Sequence, residues 1–257
     1  MIKSIIRSPH LLEVLIAYGG VHLLSIYHLF LFGGNLYDYF LGLIIGGVLY
    51  TFIEYWFHRY LLHTSYLKSA HENHHKNPTK LKIIATPLIP VQIYEFTIIT
   101  SISIISPYWA NMFQIGISVS QILMDYVHYL EHSRYNPWFL TTARSYHKLH
   151  HSKSNYNNGF GLTCPFWDSV FNTSVFPDKN KKYRAWKLYE EYPFLYYTQI
   201  PLPMINFILW TPFSKKTQND KSAPIPNLKD VKFVKLFIAF LSAIIVGNAP
   251  LFGMIFK

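Results

Sequence analysis

The sequence predicts an all-α integral membrane protein with two transmembrane helical hairpins, or four spans, and a cytosolic helical cap that carries a histidine-rich di-metal site. Three observations predict this fold. Of the 257 residues, 51% are hydrophobic and only 14% are charged, against about 25% charged in an ordinary soluble domain. Apolar runs of membrane-spanning length occur in pairs, and ten of the 13 histidines lie between residues 58 and 151. We expect residues 1–257 to form a single membrane domain.

Four apolar runs are long enough to cross a bilayer, which takes about 20 residues of helix. They are residues 11–32, 36–57, 84–106 and 110–130. The first two are separated only by Gly33, Gly34 and Asn35, so they predict a first hairpin over residues 11–57.

The other two runs predict a second hairpin over residues 84–130. Its turn is expected around Pro107, Tyr108 and Trp109, where an aromatic pair suits the membrane interface. The segments that follow the hairpins, residues 58–83 and 131–190, are predicted to form the two parts of the histidine-bearing cap.

The positions of lysine and arginine predict the orientation, because basic residues accumulate on the cytosolic side. Neither hairpin turn carries one, whereas residues 58–83 carry five. The ends of both hairpins, and the histidines beside them, are therefore expected to face the cytosol. A cleaved signal peptide is disfavoured because Glu13 interrupts the first apolar run.

The net charge of +10 is compatible with nucleic acid or with anionic lipid as a partner, and the apolar excess favours lipid. We expect no nucleic acid partner. The single cysteine, Cys164, excludes an internal disulfide and a multi-cysteine metal site. Residues 191–257 form an apolar C-terminal extension, whose last run, Phe233 to Phe256, is either interfacial or one further span.

The histidines fall into four groups with metal-ligand spacing. The groups are His58 and His63; His71, His74 and His75; His128 and His132; and His147, His150 and His151. Positions i, i+3 and i+4 share a helix face, so the histidines of each triplet can point at one place. His58 and His63 are five residues apart and need a helix end or a local distortion to converge.

Clustered neutral imidazoles indicate metal binding, and ten ligands exceed what one ion accepts, so we expect two ions. The alternative without a metal is that the clustered histidines are simply part of a surface at the membrane interface. Two H-x-x-H-H triplets beside hairpin ends weigh against it. The isolated His10, His22 and His28 are expected to be structural.

The order H-x4-H, H-x2-HH, H-x3-H, H-x2-HH resembles the fatty acid hydroxylase and sterol desaturase superfamily, and fatty acid 2-hydroxylases most of all. The resemblance covers about residues 45–175. Its motifs are EYWFHRYLLH (54–63), HENHHKNP (71–78), DYVHYLEH (125–132), YHKLHH (146–151) and GFGLTCPFWDSVFNT (159–173). Two departures are expected: no fused cytochrome b5 domain, since the 57 residues before His58 contain no His-Pro-Gly-Gly haem motif, and a longer, more apolar C-terminal extension.

The resemblance implies a membrane-bound di-iron oxygenase that hydroxylates a lipid acyl chain, as fatty acid or ceramide 2-hydroxylation, with O2 and electrons from a separate carrier such as cytochrome b5. The ten histidines map onto the metal ligands, with no catalytic residue expected beyond them, and zinc can replace the two irons in a purified sample. In a eukaryote the protein is expected in the endoplasmic reticulum, with its site facing the cytosol.

Two alternatives stay open. One is a sterol desaturase or sterol methyl oxidase on the same metal site, and the other is a non-enzymatic protein that binds or transports metal. Residues expected to orient ligand rings are Asp125, Glu54, Glu72 and Glu131. Trp167 and Phe171 either line the substrate entrance or pack the cap, and packing is favoured.

Overall fold

The computed structural model of the protein describes residues 9–64, 67–78, 88–133, 141–175 and 232–256. Every regular element among these residues is helical. The first residues of the third predicted span, 84–87, and most of the C-terminal extension, 176–231, lie outside the described residues.

The α-helices are α1 (Pro9–Leu31), α2 (Leu36–Trp56), α3 (Lys68–Lys76), α4 (Leu88–Ile105), α5 (Pro107–His132), α6 (Thr141–His150), α7 (Phe166–Val170), α8 (Phe233–Gly247) and α9 (Ala249–Phe252). A π-helix, Phe57–Leu62, directly continues α2, and short 3-10 turns cover Lys153–Asn155 and Gly253–Phe256.

The tight turn predicted between the first two runs is confirmed. Gly33 has a φ of 79°, a conformation that glycine adopts without steric cost. The Gly34 N–H donates to the Leu29 carbonyl at 2.9 Å, which closes the end of α1. The Asn35 side chain then accepts from the Tyr37 N–H at 2.8 Å and caps the start of α2.

The turn expected at Pro107, Tyr108 and Trp109 is wrong by a few residues. These three belong to the first turn of α5, and only Ser106 separates α5 from α4. Proline is favoured at the first helical position because its missing N–H would have no partner there. The Ser106 hydroxyl accepts from the Trp109 N–H at 3.3 Å and caps the helix.

Three helices in the described part of the chain are long and apolar enough to cross a membrane: His10–Leu31, Leu36–Leu62 and Leu88–Ile105. At 26 residues α5 has the length, but it also carries buried Asn111, Gln114 and Gln121. The bent pair of α8 and the segment Ala249–Ile255 would supply one more span if counted together. The number of spans stays a prediction.

The chain divides into two compact units. Unit 1 comprises residues 1–50, 85–126 and 225–257, and unit 2 comprises residues 51–84 and 127–224. The prediction of a single domain over the whole chain stays a prediction.

Small and polar residues pack the helices of unit 1. A Cβ atom on Gly46 would lie 2.3 Å from the Phe113 carbonyl oxygen, so α2 and α5 can approach this closely only where glycine is present. The Asn111 amide donates to the Ser25 carbonyl at 2.8 Å, and the Gln114 amide donates to the Val246 carbonyl at 2.6 Å. These bonds satisfy polar groups that would otherwise be buried at a cost.

The C-terminal helices belong to unit 1. A Cβ atom on Gly20 of α1 would lie 2.7 Å from the Ala243 Cβ of α8. The bend of 41° after Gly247 makes α8 and the following segment either a broken span or a re-entrant loop. Whether this segment is interfacial or forms one further span stays a prediction.

Candidate metal centre

All ten clustered histidines lie in unit 2, and they form two groups of five. The ligand atoms within each group all lie within 4.8 Å of one another. The first group is His58, His63, His71, His75 and His150, and the second group is His74, His128, His132, His147 and His151. The structure therefore brings together every histidine that the spacing selected.

Each H-x-x-H-H triplet contributes histidines to both groups. His71 and His75 belong to the first group, whereas His74 belongs to the second. The other triplet divides in the opposite sense, since only His150 joins the first group. Each triplet is therefore shared between the two groups, because positions i+3 and i+4 lie on either side of residue i and can face different neighbours.

The π-helix explains how His58 and His63 converge. A π-helix bonds residue i to i+5, so residues five apart come onto one face. The π-helix Phe57–Leu62 includes His58 and ends immediately before His63. The local distortion that the spacing required is therefore confirmed.

The rings face one another through their Nε2 atoms. In the first group, His71 Nε2 lies 3.0 Å from the Nε2 atoms of His58, His63 and His75. The rings of the second group also approach through Nε2, without one central ring: His74 lies 3.2 Å from His128, and His147 lies 2.7 Å from His132 and 2.9 Å from His151.

Burial favours the neutral form of these rings. Burial lowers the pKa of His75 to about 4. Burial and the charges of neighbouring rings keep the pKa values of His147 and His150 well below their ordinary value. A metal ion binds neutral imidazole, so these protonation states suit a metal site.

The donor set fits metal ions. His150 is fully buried, and its Nε2 atom, which faces the first group, has no hydrogen-bond partner. A buried polar atom of this kind is costly unless something binds it. Five converging nitrogens in each group suit a transition metal such as iron or zinc, since imidazole binds both.

Backbone carbonyls orient two rings of the first group. The Nδ1–H of His58 donates to the Phe160 carbonyl at 2.7 Å, and the Nδ1–H of His150 donates to the Asn158 carbonyl at 2.6 Å. Each bond fixes the tautomer and leaves Nε2 as the free ligand atom, which is the usual support for a metal-binding histidine.

Buried carboxylates hold the loop that provides these carbonyls, and we call residues 158–163 the carbonyl loop. Asp168 accepts from the N–H groups of Phe160 at 2.9 Å and Gly161 at 2.8 Å, and from the Thr173 hydroxyl at 2.8 Å. Burial raises the pKa of Asp168 to about 6, while the two N–H groups favour its ionised form.

Glu54 holds the other end of the carbonyl loop. It accepts from the N–H groups of Leu162 at 2.6 Å and Thr163 at 2.9 Å, and also from the Thr163 hydroxyl. Glu54 was predicted to orient a ligand ring directly. Its hydrogen bonds instead go to the loop whose neighbouring carbonyls orient His58 and His150.

The other predicted carboxylates have different surroundings. Glu131 is buried, and its carboxylate lies 3.9 Å from His147 Nδ1, beyond hydrogen-bond distance. Glu72 is half-exposed and pairs with Lys68 at 3.8 Å and Lys76 at 3.9 Å. Pairs of this kind on a helix surface contribute little.

Asp125 lies in unit 1, where it completes a polar network. It accepts from the Gln121 amide at 2.6 Å and pairs with His10 Nε2 at 3.2 Å. The carboxylate therefore has the partner that a buried charge requires. Its hydrogen bonds lead to His10 and not to the ten clustered histidines.

Trp167 and Phe171 pack within unit 2. The Trp167 indole N–H donates to the Thr51 hydroxyl at 3.0 Å, and its ring lies 4.9 Å from that of Phe52. The Phe171 ring stacks on Tyr55 with centroids 5.2 Å apart. These contacts support the packing role that was favoured for both residues.

Sequence reasoning missed the carbonyl loop and Asp168. Backbone carbonyls have no signature in side-chain patterns, so Asn158 and Phe160 could not be selected by residue type. One signal was present: Gly159 and Gly161 flank Phe160. Gly159 has a φ of 74°, and a Cβ atom on Gly161 would lie 2.1 Å from the Cys164 carbonyl oxygen.

Fold and site together define a protein whose described regular elements are all helices, with membrane-length apolar helices and a histidine-rich candidate metal centre. The Fatty acid hydroxylase family matches residues 43–173, slightly more than half of the chain. The chain belongs to this family. The matched region contains all ten histidines and ends with Thr173, which binds Asp168.

Two relatives illustrate the similarity. The ceramide very long chain fatty acid hydroxylase SCS7 of Saccharomyces cerevisiae is 31% identical over 148 residues, covering 52% of this chain and 38% of the relative. The fatty acid 2-hydroxylase of Rattus norvegicus is 26% identical over 150 residues, covering 53% of this chain and 40% of the relative. The match thus spans about two fifths of either relative.

A solved structure shares the fold. It is that of full-length scs7p, in which only the hydroxylase domain is visible. The two structures superpose with a TM-score of 0.57 at 26% sequence identity, covering 67% of this chain and 69% of that chain.

Proposed function

We propose that this protein is a membrane-bound di-iron oxygenase that hydroxylates a lipid acyl chain. The observation that carries the proposal is the pair of five-histidine groups within the region that matches the fatty acid hydroxylase family. Two irons held by these groups would supply the redox chemistry that inserts one atom of O2 into a C–H bond and releases the other as water, with two electrons and two protons consumed. Zinc is redox-inert and would not support this reaction.

The residues of the chain would bind the metal ions, orient the ligand rings and shield the centre from water. The ten rings present nitrogen ligands in their neutral form, and the carbonyl loop fixes the tautomers of His58 and His150. Most of the rings are buried, so bulk water is kept from the centre. No other side chain is assigned a role at the reacting atoms.

The substrate we propose is the acyl chain of a fatty acid or ceramide, hydroxylated at carbon 2. This follows the two relatives, whose names specify a ceramide very long chain fatty acid hydroxylase and a fatty acid 2-hydroxylase. Mass spectrometry of lipids tests the proposal, in a host that lacks acyl 2-hydroxylation and expresses either this chain or its His71→Ala variant. We expect 2-hydroxyacyl lipids with the wild type alone.

The result also separates the alternatives. Oxidised sterols without 2-hydroxyacyl lipids would favour a sterol oxidase. Unchanged lipids in cells whose protein contains two irons would contradict an enzymatic role and favour metal binding alone.

The electrons are proposed to come from a separate carrier, cytochrome b5 or a comparable protein. Purified protein in lipid vesicles, supplied with O2, NADH and a reductase, should form product only when the carrier is added. Equal product without the carrier would contradict this proposal.

We propose that the histidine centre faces the cytosol, and in a eukaryote lies at the endoplasmic reticulum. Asn172, Thr173 and Ser174 form an acceptor sequence for N-linked glycosylation. Asn172 is exposed on the surface of unit 2, so burial would not by itself protect it.

A lumenal glycosyltransferase could not reach Asn172 in this orientation. Expression in a eukaryotic secretory membrane should therefore leave it unmodified, as judged by gel mobility with and without a glycosidase. An acceptor site in a lengthened turn between α1 and α2 is the positive control. A glycan on Asn172 with none on the control would show the opposite topology, with the histidine centre in the lumen.

A further inference from the structure

The two histidine groups differ in how their rings are held. In the first group, two of the five rings donate from Nδ1 to carbonyls of the carbonyl loop. The second group has a carboxylate beside it instead, since Glu131 lies 3.9 Å from His147 Nδ1.

Buried hydrogen bonds connect Asp168 to the first group through one residue. Its carboxylate accepts from the Phe160 N–H, and the carbonyl of the same residue accepts from His58. One residue of backbone therefore connects the carboxylate to a ligand ring.

A second path reaches His150. The Thr173 hydroxyl donates to Asp168 at 2.8 Å, and the Thr173 carbonyl accepts from the Gly159 N–H at 2.7 Å. Gly159 follows Asn158, whose carbonyl accepts from His150. Both paths from Asp168 thus end at members of the first group.

We propose that Asp168 is a positioning residue that sets the metal affinity of the first histidine group selectively. The inference rests on the proposed function, because it presumes that the two groups each bind a metal ion. Asp168 itself touches neither substrate nor ligand ring.

The donors around Asp168 explain why the carboxylate is needed. Its two oxygens accept from two backbone N–H groups and from the Thr173 hydroxyl, and the Tyr146 side chain also hydrogen-bonds to it. In Asp168→Asn one oxygen becomes an NH2 group, which cannot accept and would face a donor. The carbonyl loop would lose its fixed position, and His58 and His150 would lose their orientation.

The test measures metal binding and not turnover. Purified full-length wild type and Asp168→Asn are loaded with Co(II), then titrated with a chelator while bound metal and visible absorption are recorded. Variants His63→Ala and His132→Ala, which each disable one group, provide reference spectra for the other. Ser169→Ala is the matched control, because Ser169 lies in the same helix and its hydroxyl bonds to Pro165 and Ser174.

We expect Asp168→Asn to bind one of its two metals roughly 10–100-fold more weakly, as is usual when the partner of a ligand is lost. The metal that remains should give the spectrum of the second group, and Ser169→Ala should match the wild type. Equal weakening of both metals, or no weakening, would overturn the inference.

A second variant covers the case in which Asp168→Asn does not fold. Thr173→Val removes one donor to Asp168 and should weaken the same metal by a smaller factor, and the same two results would overturn the inference. A wild type that binds no metal would overturn the proposed function and this inference with it. Two metals in the wild type, with unchanged binding in the variants, would overturn this inference alone.

Discussion

The histidines of unit 1 and those of unit 2 have different partners. In unit 1, His22 lies 3.0 Å from the Ser118 hydroxyl and 3.3 Å from the Tyr39 hydroxyl, and His10 pairs with the Asp125 carboxylate. In unit 2, the ring nitrogens of nine histidines lie 2.7–3.2 Å from one another, and His150 converges with the first group.

The atoms that the ring nitrogens meet distinguish a structural histidine from a metal ligand. A ring nitrogen that meets an oxygen atom has its donor or acceptor satisfied by the protein, as do the Nδ1 atoms of His58 and His150, and that nitrogen is not a ligand atom. Neutral nitrogens that converge on one another are satisfied only by a proton or a metal ion placed between them. The chemistry of the partner atoms, more than burial, therefore separates the two kinds.

The largest expected effect is the loss of product when one ligand is removed. His71→Ala and His74→Ala, one from each group, should each reduce 2-hydroxyacyl product by more than the roughly 10–100-fold that loss of a ligand's partner costs. His22→Ala, the matched variant of unit 1, should retain product in lipid analysis at equal membrane abundance.

Equal product from the ligand variants and from His22→Ala would contradict this distinction between ligands and structural histidines. Full product in both ligand variants would show that convergence of the rings does not mark ligands. A complete loss in His22→Ala at normal abundance would show that a histidine bonded to hydroxyls can be equally essential.

The next effect concerns Glu54, which accepts three hydrogen bonds from the carbonyl loop. Glu54→Gln removes one acceptor oxygen and should lower the free energy of unfolding by about 1–3 kcal/mol. Thermal unfolding of the metal-free protein in detergent measures it. Glu72→Gln, which alters only surface pairs, should change stability by less than about 1 kcal/mol. Equal effects would contradict the assigned contacts.

The smallest effect is expected at Trp167. Trp167→Phe keeps the aromatic packing against Phe52 and removes the indole hydrogen bond to Thr51. The cost should be about 1 kcal/mol in the same unfolding assay. The chain-length distribution of the lipid product should not change. A shifted chain-length distribution would instead indicate that Trp167 lines the substrate entrance.

Much of the fold followed from the sequence. The lengths of the apolar runs predicted α1, α2 and most of α4. The residues Gly33 to Asn35 predicted the tight turn between α1 and α2. The five-residue spacing of His58 and His63 predicted a distorted helix. These features are local, so the sequence near each one contains their cause.

The missed features depend on contacts between distant residues. Whether His74 turns away from His71 and His75 depends on α5, which brings His128 to within 3.2 Å of it. The carboxylate that supports His58 indirectly is Asp168, which acts through a backbone carbonyl more than 100 residues from His58 along the chain. Such contacts between distant residues cannot be predicted from residue spacing in the sequence.

The proposed function requires that the two five-histidine groups hold two metal ions. The most direct measurement is the metal content of purified full-length protein reconstituted with Fe(II) without oxygen, combined with X-ray absorption spectroscopy of the bound metal. We predict two irons per chain with nitrogen ligands and no sulfur ligand. A content well below one iron per chain after reconstitution, in protein that remains folded, would contradict the account.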